Sequence, residues 1–476
     1  MSELLLRERI ATLETEYSLS VTFPKNCQER IPLYELGHNF FNVLKSVMSG
    51  RKENHDSSKN RISLDFFIGN GARTYLDTGC HPEYSAPETK SVRDAVIYDK
   101  AGERLFSIIS TILQKNLDEE GIAGEVRLHK NNSNQDISWG THENYLFSRK
   151  VNWYNFIGAV VPFFVTRQIY SGAGSINHFT KRYEISDKAR FIQEIQSSLT
   201  MDERAIINNR DEPHADRDSF RRYHHIAGES NMCEYATALK LGTTMVVLSL
   251  IEEAKLPVSL MNEMNEPVRT LKSVSEDIWL NNKYWFGRNK YTAVEIQRIY
   301  LDVANKHYGS ISQELGDTYL DDIMKMWDFT LTALEWDTSS LVGKIDWITK
   351  NYLIEKKPGT NPVVIHFAYH RIYPIGVYDK LLRLAEDNSL NITIDRICTD
   401  EEIEYAINNP PQNTRAKTRG EMISGKGENI NMGVNWNYIS TRRYTDAGIV
   451  CDKLVSDDPR EVDFRADFHE ENNNPL

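Results

Sequence analysis

The stretch GNGARTYLDTGCHPEYSAPE, residues 69–88, concentrates an Arg, a Tyr, an Asp, a His and two Glu in one short segment. Arg73, Tyr75 and Asp77 alternate with Thr and Leu residues, and this period of two places them on one face of a predicted strand. Such a face is a poor core surface, because a buried charge must be paired. It predicts either a site for a metal-bound anion or the wet side of an antiparallel sheet.

Two acidic residues lie on the strand predicted over residues 11–22. Glu14 and Glu16 are two positions apart, so both side chains point to the same face. Neighbouring carboxylates repel each other unless one is protonated or a cation lies between them. Mg²⁺ is the natural neutraliser, because it takes oxygen ligands and keeps water or phosphate in its other positions. The alternative is a solvent-facing pair on an edge strand.

The segment IINNRDEPHADRDSFRRYHH, residues 206–225, is the second concentration of charged side chains. Guanidinium groups suit phosphate because their planar fork donates two hydrogen bonds and stays charged. A solvated loop would also explain such a run of charges. However, residues 232–251 read as a helix that is apolar on nearly all sides, so it should lie in the core. That helix would hold the charged segment beside the core.

Length and charge limit the class of protein. A chain of 476 residues predicts one large domain with an appendage, or two domains. The net charge of −12 argues against a nucleic-acid partner, whose phosphate backbone needs a basic surface. The longest apolar run, residues 156–165, is too short for a bilayer, so no membrane association is expected. Five widely spaced cysteines without a CxxC pair disfavour structural zinc and predict a reducing cytoplasm.

Periodicity predicts a mixed α and β protein. Helices are expected over residues 33–48, 91–116, 291–307, 319–335 and 341–356, and further strands over residues 125–130 and 390–397. His142 and Glu143 are adjacent on an extended segment, so only one of them can face a given site. The sequence texture changes near residue 389. We therefore expect a catalytic domain over residues 1–388 and a small C-terminal domain over residues 389–476.

A set of short motifs follows one order along the chain. They are LETEY (13–17), NGARTYLD (70–77), HPEYSAPE (81–88), DKAGERL (99–105), HKNN (129–132), GTHENYL (140–146), PFFVTRQ (162–168), NNRDEPHAD (208–216), GESNMCE (228–234), LKLGTT (239–244), QRIYLD (297–302), PPQNTRAKTRGE (410–421) and VNW (434–436). Together they resemble the family of the Pup ligase and the Pup deamidase/depupylase, which shares its core fold with glutamine synthetase. Ser18, Ala86 and Trp139 depart from the family's usual residues, which suggests a divergent branch.

The resemblance implies an α+β fold, in which an antiparallel sheet curves into a cradle backed by helices. A small C-terminal domain would close over ATP. Mapped onto this chain, the resemblance implies a catalytic position at Asp77 and Mg²⁺ positions at Glu14, Tyr75 and Glu83, with Glu16 as a further metal ligand or neighbouring acid. The implied nucleotide positions are Arg73, Trp436, Arg210, His214, Arg222 and His224.

The implied reaction joins a small Pup-like modifier protein to lysine-bearing target proteins. A carboxylate is a poor electrophile, so ATP first phosphorylates the side-chain carboxylate of the modifier's C-terminal glutamate. Metal ions and arginines neutralise the charge that builds up during phosphoryl transfer. A target lysine then attacks the acyl phosphate, and Asp77 takes the proton that the ammonium carries at pH 7. The product is an isopeptide bond.

The ligase and the deamidase share their catalytic residues, so other segments must separate them. The deamidase carries a long loop between its first helix and the NGAR motif, and only residues 49–68 lie there in this chain. TDEEI at residues 399–403 also looks ligase-like, whereas QRIYLD looks deamidase-like. The balance favours the ligase. A small-molecule carboxylate–amine ligase and an inactive modifier-binding homologue are the remaining alternatives, and the intact acidic residues disfavour the second.

Overall fold

The computed structural model describes residues 8–27, 30–48, 51–52, 64–134, 136–257, 260, 264–387, 392–425, 431–445 and 448–466. The strands in these ranges are β1 (Ala11–Glu16), β2 (Ser18–Thr22), β3 (Arg51–Lys52), β4 (Asp65–Phe67), β5 (Arg73–Asp77), β6 (His81–Ser85), β7 (Glu125–His129), β8 (Thr141–Ser148), β9 (Ser175–Ile176), β10 (Tyr183–Glu184), β11 (Glu194–Ser197), β12 (Ala205–Asn208), β13 (Phe220–His225), β14 (Tyr284–Phe286), β15 (Asn289–Tyr291), β16 (Arg371–Tyr373), β17 (Asn431–Val434), β18 (Tyr438–Thr445), β19 (Gly448–Val455) and β20 (Arg465–Ala466). The helices are α1 (Leu33–Val47), α2 (Val92–Glu119), α3 (Trp153–Ser171), α4 (Glu234–Glu252), α5 (Pro267–Glu276), α6 (Ala293–Leu315), α7 (Leu320–Trp336), α8 (Asp346–Lys356), α9 (Pro362–His370), α10 (Val377–Glu386), α11 (Asp400–Asn408) and α12 (Ala416–Gly425).

A nine-stranded sheet forms the frame of the molecule. Its strand order is β11-β12-β13-β8-β1-β6-β5-β4-β3, and all neighbours are antiparallel except β11 and β12. A three-stranded sheet (β16-β7-β2) and a four-stranded sheet (β17-β18-β19-β20) accompany it. The mixed architecture agrees with the predicted α+β class, and the helices predicted from periodicity are present with shifted ends.

Helix α4 lies in the centre of the core. It is long and apolar enough to cross a membrane by composition, but every residue from Glu234 to Ile251 is buried inside the protein. Its neighbour α3 is buried from Gly158 to Ser171, which agrees with the expectation for that apolar run. An apolar surface on all sides requires protein on all sides, so these two helices are packed between the sheet and the outer helices.

The strand predicted over residues 11–22 is two strands in two different sheets. The chain breaks at Tyr17, whose backbone N–H donates to the carbonyl of Pro82 (2.9 Å). The Tyr17 side chain is fully buried, and its ring lies 5.0 Å from that of Phe106 in α2. This anchor lets β1 stay in the cradle while β2 turns away to pair with β7.

The strand predicted over residues 390–397 is wrong for its described part, residues 392–397. This segment forms no regular secondary structure and pairs with no described strand. Side chains hold it instead. Glu234 at the start of α4 accepts from the backbone N–H groups of Ile397 (2.6 Å) and Cys398 (3.1 Å), and Lys344 pairs with Asp395 (3.2 Å). The β-branched residues suggested backbone pairing with another strand, but the backbone of this segment donates to a carboxylate.

The C-terminal elements pack onto the cradle. Phe67 of β4 contributes to a small apolar cluster with Ile423, Met432, Val434 and Ile439. Helix α11 begins with a capping box of Thr399 and Glu402, and Glu402 also accepts from Arg93 of α2 (2.7 Å). The division of the chain at residue 389 stays a prediction.

Candidate active site

Alternate residues of the central strands line the concave face of the nine-stranded sheet. Glu14 and Glu16 of β1 point into this cradle, whereas Leu13 and Thr15, on either side of Glu14, are buried on the other face. The antiparallel register sets Glu14 opposite Ser85 and His142, and it sets Glu16 opposite Glu83. On the next strand pair, Tyr75 lies opposite Glu83 and Asp77 opposite His81. The alternation along each strand therefore places these side chains on one face of the sheet, as the sequence predicted.

Three carboxylates meet at one end of β1 and β5. Glu16, Asp77 and Glu83 each offer an oxygen, and these oxygens lie within 4.8 Å of one another. Burial and the charge of Asp77 raise the pKa of Glu16 to about 7, and burial with the charges of Glu16 and Glu14 raises that of Glu83 well above its usual value. This mutual repulsion and the all-oxygen donor set fit a hard divalent cation such as Mg²⁺.

Tyr75 lies directly beside this cluster. Its hydroxyl donates a hydrogen bond to Glu83, and burial together with the charge of Glu83 raises the pKa of the phenol well above its usual value. A neutral phenol in this position orients the Glu83 carboxylate. Its predicted role as a direct metal ligand stays a prediction.

Glu14 has a different environment from Glu16. His142 Nδ1 lies 3.6 Å from its carboxylate, His224 Nε2 lies 3.7 Å away and Arg222 Nη1 lies 3.6 Å away. Burial alone would raise the pKa of Glu14, but the nearby His142 and His224 rings and the charge of Arg222 lower it. Glu14, His142 and His224 also offer ligand atoms within 4.8 Å of one another. They are a second group that can hold a divalent cation.

The cationic residues predicted for the nucleotide lie along the same cradle. Arg73 donates two hydrogen bonds to Asp65, at 2.9 and 2.6 Å, and its guanidinium lies 4.7 Å from the centre of the Tyr75 ring. Burial and the charge of Arg222 lower the pKa of His214 to about 4, so its ring is neutral near pH 7. Arg210 is half-exposed at the rim, 4.0 Å from Glu212. These groups line the space between the acidic floor and the rim.

Trp436 reaches the cradle from the C-terminal part of the chain. Its ring lies 5.0 Å from Phe67 and 4.9 Å from the Arg419 guanidinium. Arg419 and Arg415 are both buried and both donate to Glu88, which lies three residues after the end of β6. Burial would raise the pKa of Glu88, but the charges of Arg419 and Arg415 lower it to about 2. This Glu88 clamp joins the cradle to α12 and to the loop before it.

Two basic residues that the sequence did not single out lie at the other end of the cradle. Lys188 is buried, donates to the carbonyl of Ile226 (2.6 Å) and has its pKa lowered to about 8 by burial and the charge of Arg204. Arg204 donates to Ser138. Both side chains line the space in front of Glu16. Lys188 lies shortly after β10 and Arg204 directly before β12, and neither belongs to a motif, so only the folded chain brings them here.

Two cavities meet over Glu14. The wide cavity has an empty volume of about 1480 Å³, and all eleven residues that the sequence assigned to the site line it: Glu14, Glu16, Arg73, Tyr75, Asp77, Glu83, Arg210, His214, Arg222, His224 and Trp436. The narrow cavity, of about 550 Å³, shares Glu14, His214, Arg222 and Trp436 with it. The predicted residues are therefore brought together, and the role assigned to each one stays a prediction.

Comparisons with known proteins agree on one family. The family model described as Pup-ligase protein matches residues 9–440. A Pup–protein ligase from Kineococcus radiotolerans is 35% identical over 93% of this chain and 95% of its own, and one from Nocardioides sp. is 36% identical over 93% and 95%. The solved complex between prokaryotic ubiquitin-like protein Pup and its ligase PafA superimposes with a TM-score of 0.81 at 28% identity, covering 96% of this chain and 90% of that one. PafA in complex with ADP gives a TM-score of 0.74 at 27% identity, covering 93% and 95%.

Proposed function

Because this chain belongs to the Pup-ligase family, we propose that it uses ATP to join a Pup-like modifier to lysine side chains of target proteins. The observation that carries the proposal is the convergence of Glu16, Asp77 and Glu83 within 4.8 Å at the floor of a cavity lined by arginines. The match to PafA with ADP supports the nucleotide, and the match to the Pup complex supports the modifier.

The acidic residues suit magnesium. Glu16 and Glu83 would hold one ion, and Glu14 with His142 and His224 would hold another. Bound Mg²⁺ would neutralise the phosphate charge that grows during phosphoryl transfer. Arg222 and Arg73 contribute to the same neutralisation, because both guanidinium groups line the cavity above the acids.

Asp77 is the residue best placed to act as a general base. It lies at the end of β5, partly buried, and lines the wide cavity, where an incoming lysine would have access. The lysine ammonium must lose a proton before its nitrogen can attack the acyl phosphate. The Asp77 carboxylate can accept that proton, while Tyr75 holds Glu83 in place beside it.

Ligation is favoured over deamidation, because the relatives and solved neighbours named above are Pup–protein ligases. The direct test combines the purified protein with ATP, Mg²⁺, a Pup modifier that ends in glutamate and a lysine-bearing protein. A product of higher mass that resists denaturation indicates an isopeptide-linked conjugate. Ammonia release from a modifier that ends in glutamine, without conjugate formation, would contradict the ligase assignment.

The role of Asp77 is tested by Asp77→Asn in the same assay. We expect conjugate formation to fall by about a hundredfold or more, because general-base catalysis contributes on that order. Asp302→Asn is the matched control, since Asp302 is exposed on α6 and lies outside both cavities. Circular dichroism and ATP binding of both variants should match the unmodified protein. Full turnover by Asp77→Asn would exclude the assigned role.

A further inference from the structure

The narrow cavity is mostly apolar, and one polar side chain in it has no partner. Ile10, Leu146, Pro213 and Pro459 supply much of the lining. Asn144 of β8 also lines it and is 6% exposed, yet neither its amide oxygen nor its amide nitrogen has a hydrogen-bond partner within the described ranges. Buried amides in folded proteins nearly always have partners. A ligand in this cavity is therefore the natural partner of Asn144.

Several other polar groups of this lining have partners within the protein, whereas Arg222 Nε, like the Asn144 amide, has none among the described residues. The Thr12 hydroxyl, directly across the sheet from Asn144, donates to the carbonyl of Ala86 (2.9 Å). Glu88 is held by Arg415 and Arg419. Asn144 is uncharged and offers one acceptor and two donor hydrogens. Phosphate would be held better by the guanidinium of Arg222 nearby, so the amide suits a neutral group that both donates and accepts.

The position of Asn144 along the sheet identifies that group. Glu16 and Glu14 mark the acidic end of β1, and Thr12, which lies opposite Asn144, is four residues from Glu16. At ~3.3 Å per residue this is roughly 13 Å from the acidic cluster. Beyond it lie Ile10 and Leu146 at the apolar end. A nucleoside triphosphate with its phosphates over the acids would place its ribose beside Asn144 and its base among the apolar side chains.

We infer that Asn144 binds the ribose hydroxyls of the nucleotide and makes the enzyme select ribonucleotides over deoxyribonucleotides. The Asn144 oxygen accepts from one hydroxyl and the amide nitrogen donates to the neighbouring oxygen. The inference rests on the proposed ATP-dependent function, because it requires a nucleotide in the cradle. Asn144 would recognise the ribose, which the acidic and cationic residues of the cradle do not contact.

The test measures nucleotide binding directly by calorimetry in the presence of Mg²⁺. ATP should bind the unmodified protein about tenfold more tightly than 2′-deoxy-ATP, since loss of the hydroxyl leaves a buried amide group unpaired. Asn144→Leu should bind both nucleotides with equal affinity. Thr12→Val is the matched control, because its hydroxyl is already paired within the chain; it should change both affinities by the same factor and keep the tenfold ratio.

The possible results separate the role of Asn144 from the proposed ligase function. Equal binding of ATP and 2′-deoxy-ATP by the unmodified protein would overturn the inference and leave the ligase proposal intact. This measurement does not depend on the folding of any variant. A loss of discrimination between ATP and GTP in Asn144→Leu, with the sugar preference retained, would also overturn it, because Asn144 would then read the base. Failure of ATP itself to bind would instead overturn the proposed function.

Discussion

Glu14 and Glu16 are two residues apart on one strand, and their surroundings give them opposite properties. Glu14 lies among His142, His224 and Arg222, so its carboxylate stays charged. Glu16 faces Asp77 and Glu83, so burial and repulsion raise its pKa to about 7. One strand face therefore carries one acid beside an arginine and two imidazoles, and a second acid beside two further acids. The chemical difference comes from the neighbours across the sheet.

Replacement of Glu16 by Gln should change metal binding and stability in opposite directions. In the metal-free protein, the raised pKa of Glu16 means that stability falls as pH rises from the unfolded value of 4.5 to about 7. Glu16→Gln removes this loss. The unfolding free energy of the variant, relative to that of the unmodified protein, should therefore rise over that pH interval and then stay constant. Its apparent Mg²⁺ affinity should fall by about tenfold or more. Denaturant unfolding in EDTA at several pH values and Mg²⁺ titration of ATP binding measure the two effects.

Tyr75→Phe separates an orienting role from a ligand role. If the hydroxyl orients Glu83, the variant should fold normally and lose about tenfold in apparent Mg²⁺ affinity, as is typical for the loss of a group that supports a metal ligand. Mg²⁺-dependent ligation at a range of metal concentrations measures this, and saturating Mg²⁺ should restore most of the rate. A rate that stays near zero at saturating metal would contradict the orienting role and favour direct ligation by the phenol.

At the scale of elements, β8 shows how one strand serves two surfaces. His142 and Asn144 face the cradle, whereas Glu143 between them is fully buried on the opposite face. There, Arg167 of α3 donates to both Glu143 oxygens, at 2.7 and 2.6 Å. The pair ties the sheet to the core helices. Adjacent residues of a strand point to opposite faces, so the sequence predicted that only one of His142 and Glu143 would face the site. This is confirmed.

The Glu88 clamp predicts a strong coupling between the cradle and α12. Glu88→Gln should destabilise the protein by about 3–5 kcal/mol, because it leaves the buried Arg415 and Arg419 without a counter-charge. Arg419→Met should cost less, because Arg415 still pairs with Glu88. The loss in the double variant should be smaller than the sum of the two single losses. A double-mutant cycle in denaturant measures the coupling. Additive losses would show that the two side chains contribute independently.

The clamp also predicts an acid response. The pKa of Glu88 is lowered to about 2, so its stabilisation is present above the unfolded value of 4.5 and is lost as pH falls from there towards 2. Unfolding free energies measured over this interval should fall less steeply in Glu88→Gln than in the unmodified protein. Parallel curves for the two proteins would contradict the assigned ion pairing.

At the scale of the whole molecule, the cradle has two unlike ends. The narrow cavity, with Trp436 and the Glu88 clamp, includes residues from both the N-terminal and the C-terminal parts of the chain. The wide cavity opens past Asp77 towards Lys188 and Arg204. This arrangement suits the proposed nucleotide at one end and the proposed modifier and target protein at the other. A reducing cytoplasm, expected from the cysteine spacing, stays a prediction.

Nucleotide binding should therefore protect distant segments together. With ATP and Mg²⁺ at about 100 times the dissociation constant, the unfolding free energy should rise by about 2.7 kcal/mol. Hydrogen exchange should slow in β1 and β8, which line the shared cavities, and in β17, which packs in the apolar cluster against Trp436. Trp436→Ala should reduce the protection of β17 and raise the dissociation constant for ATP. Protection confined to β1 and β8 would contradict the shared binding site.

Local pattern in the sequence determined the faces of the strands, most of the helices and the family. Alternation placed Arg73, Tyr75 and Asp77 on one side of β5, because side-chain direction in a strand depends only on the position along it. The tertiary structure alone decided which faces meet. Glu88 and Arg419 are 331 residues apart in the chain, and neither Lys188 nor Arg204 follows a pattern that connects it to Glu16. Such contacts depend on strand register and packing across the whole fold, and residue spacing in the sequence carries no information about them.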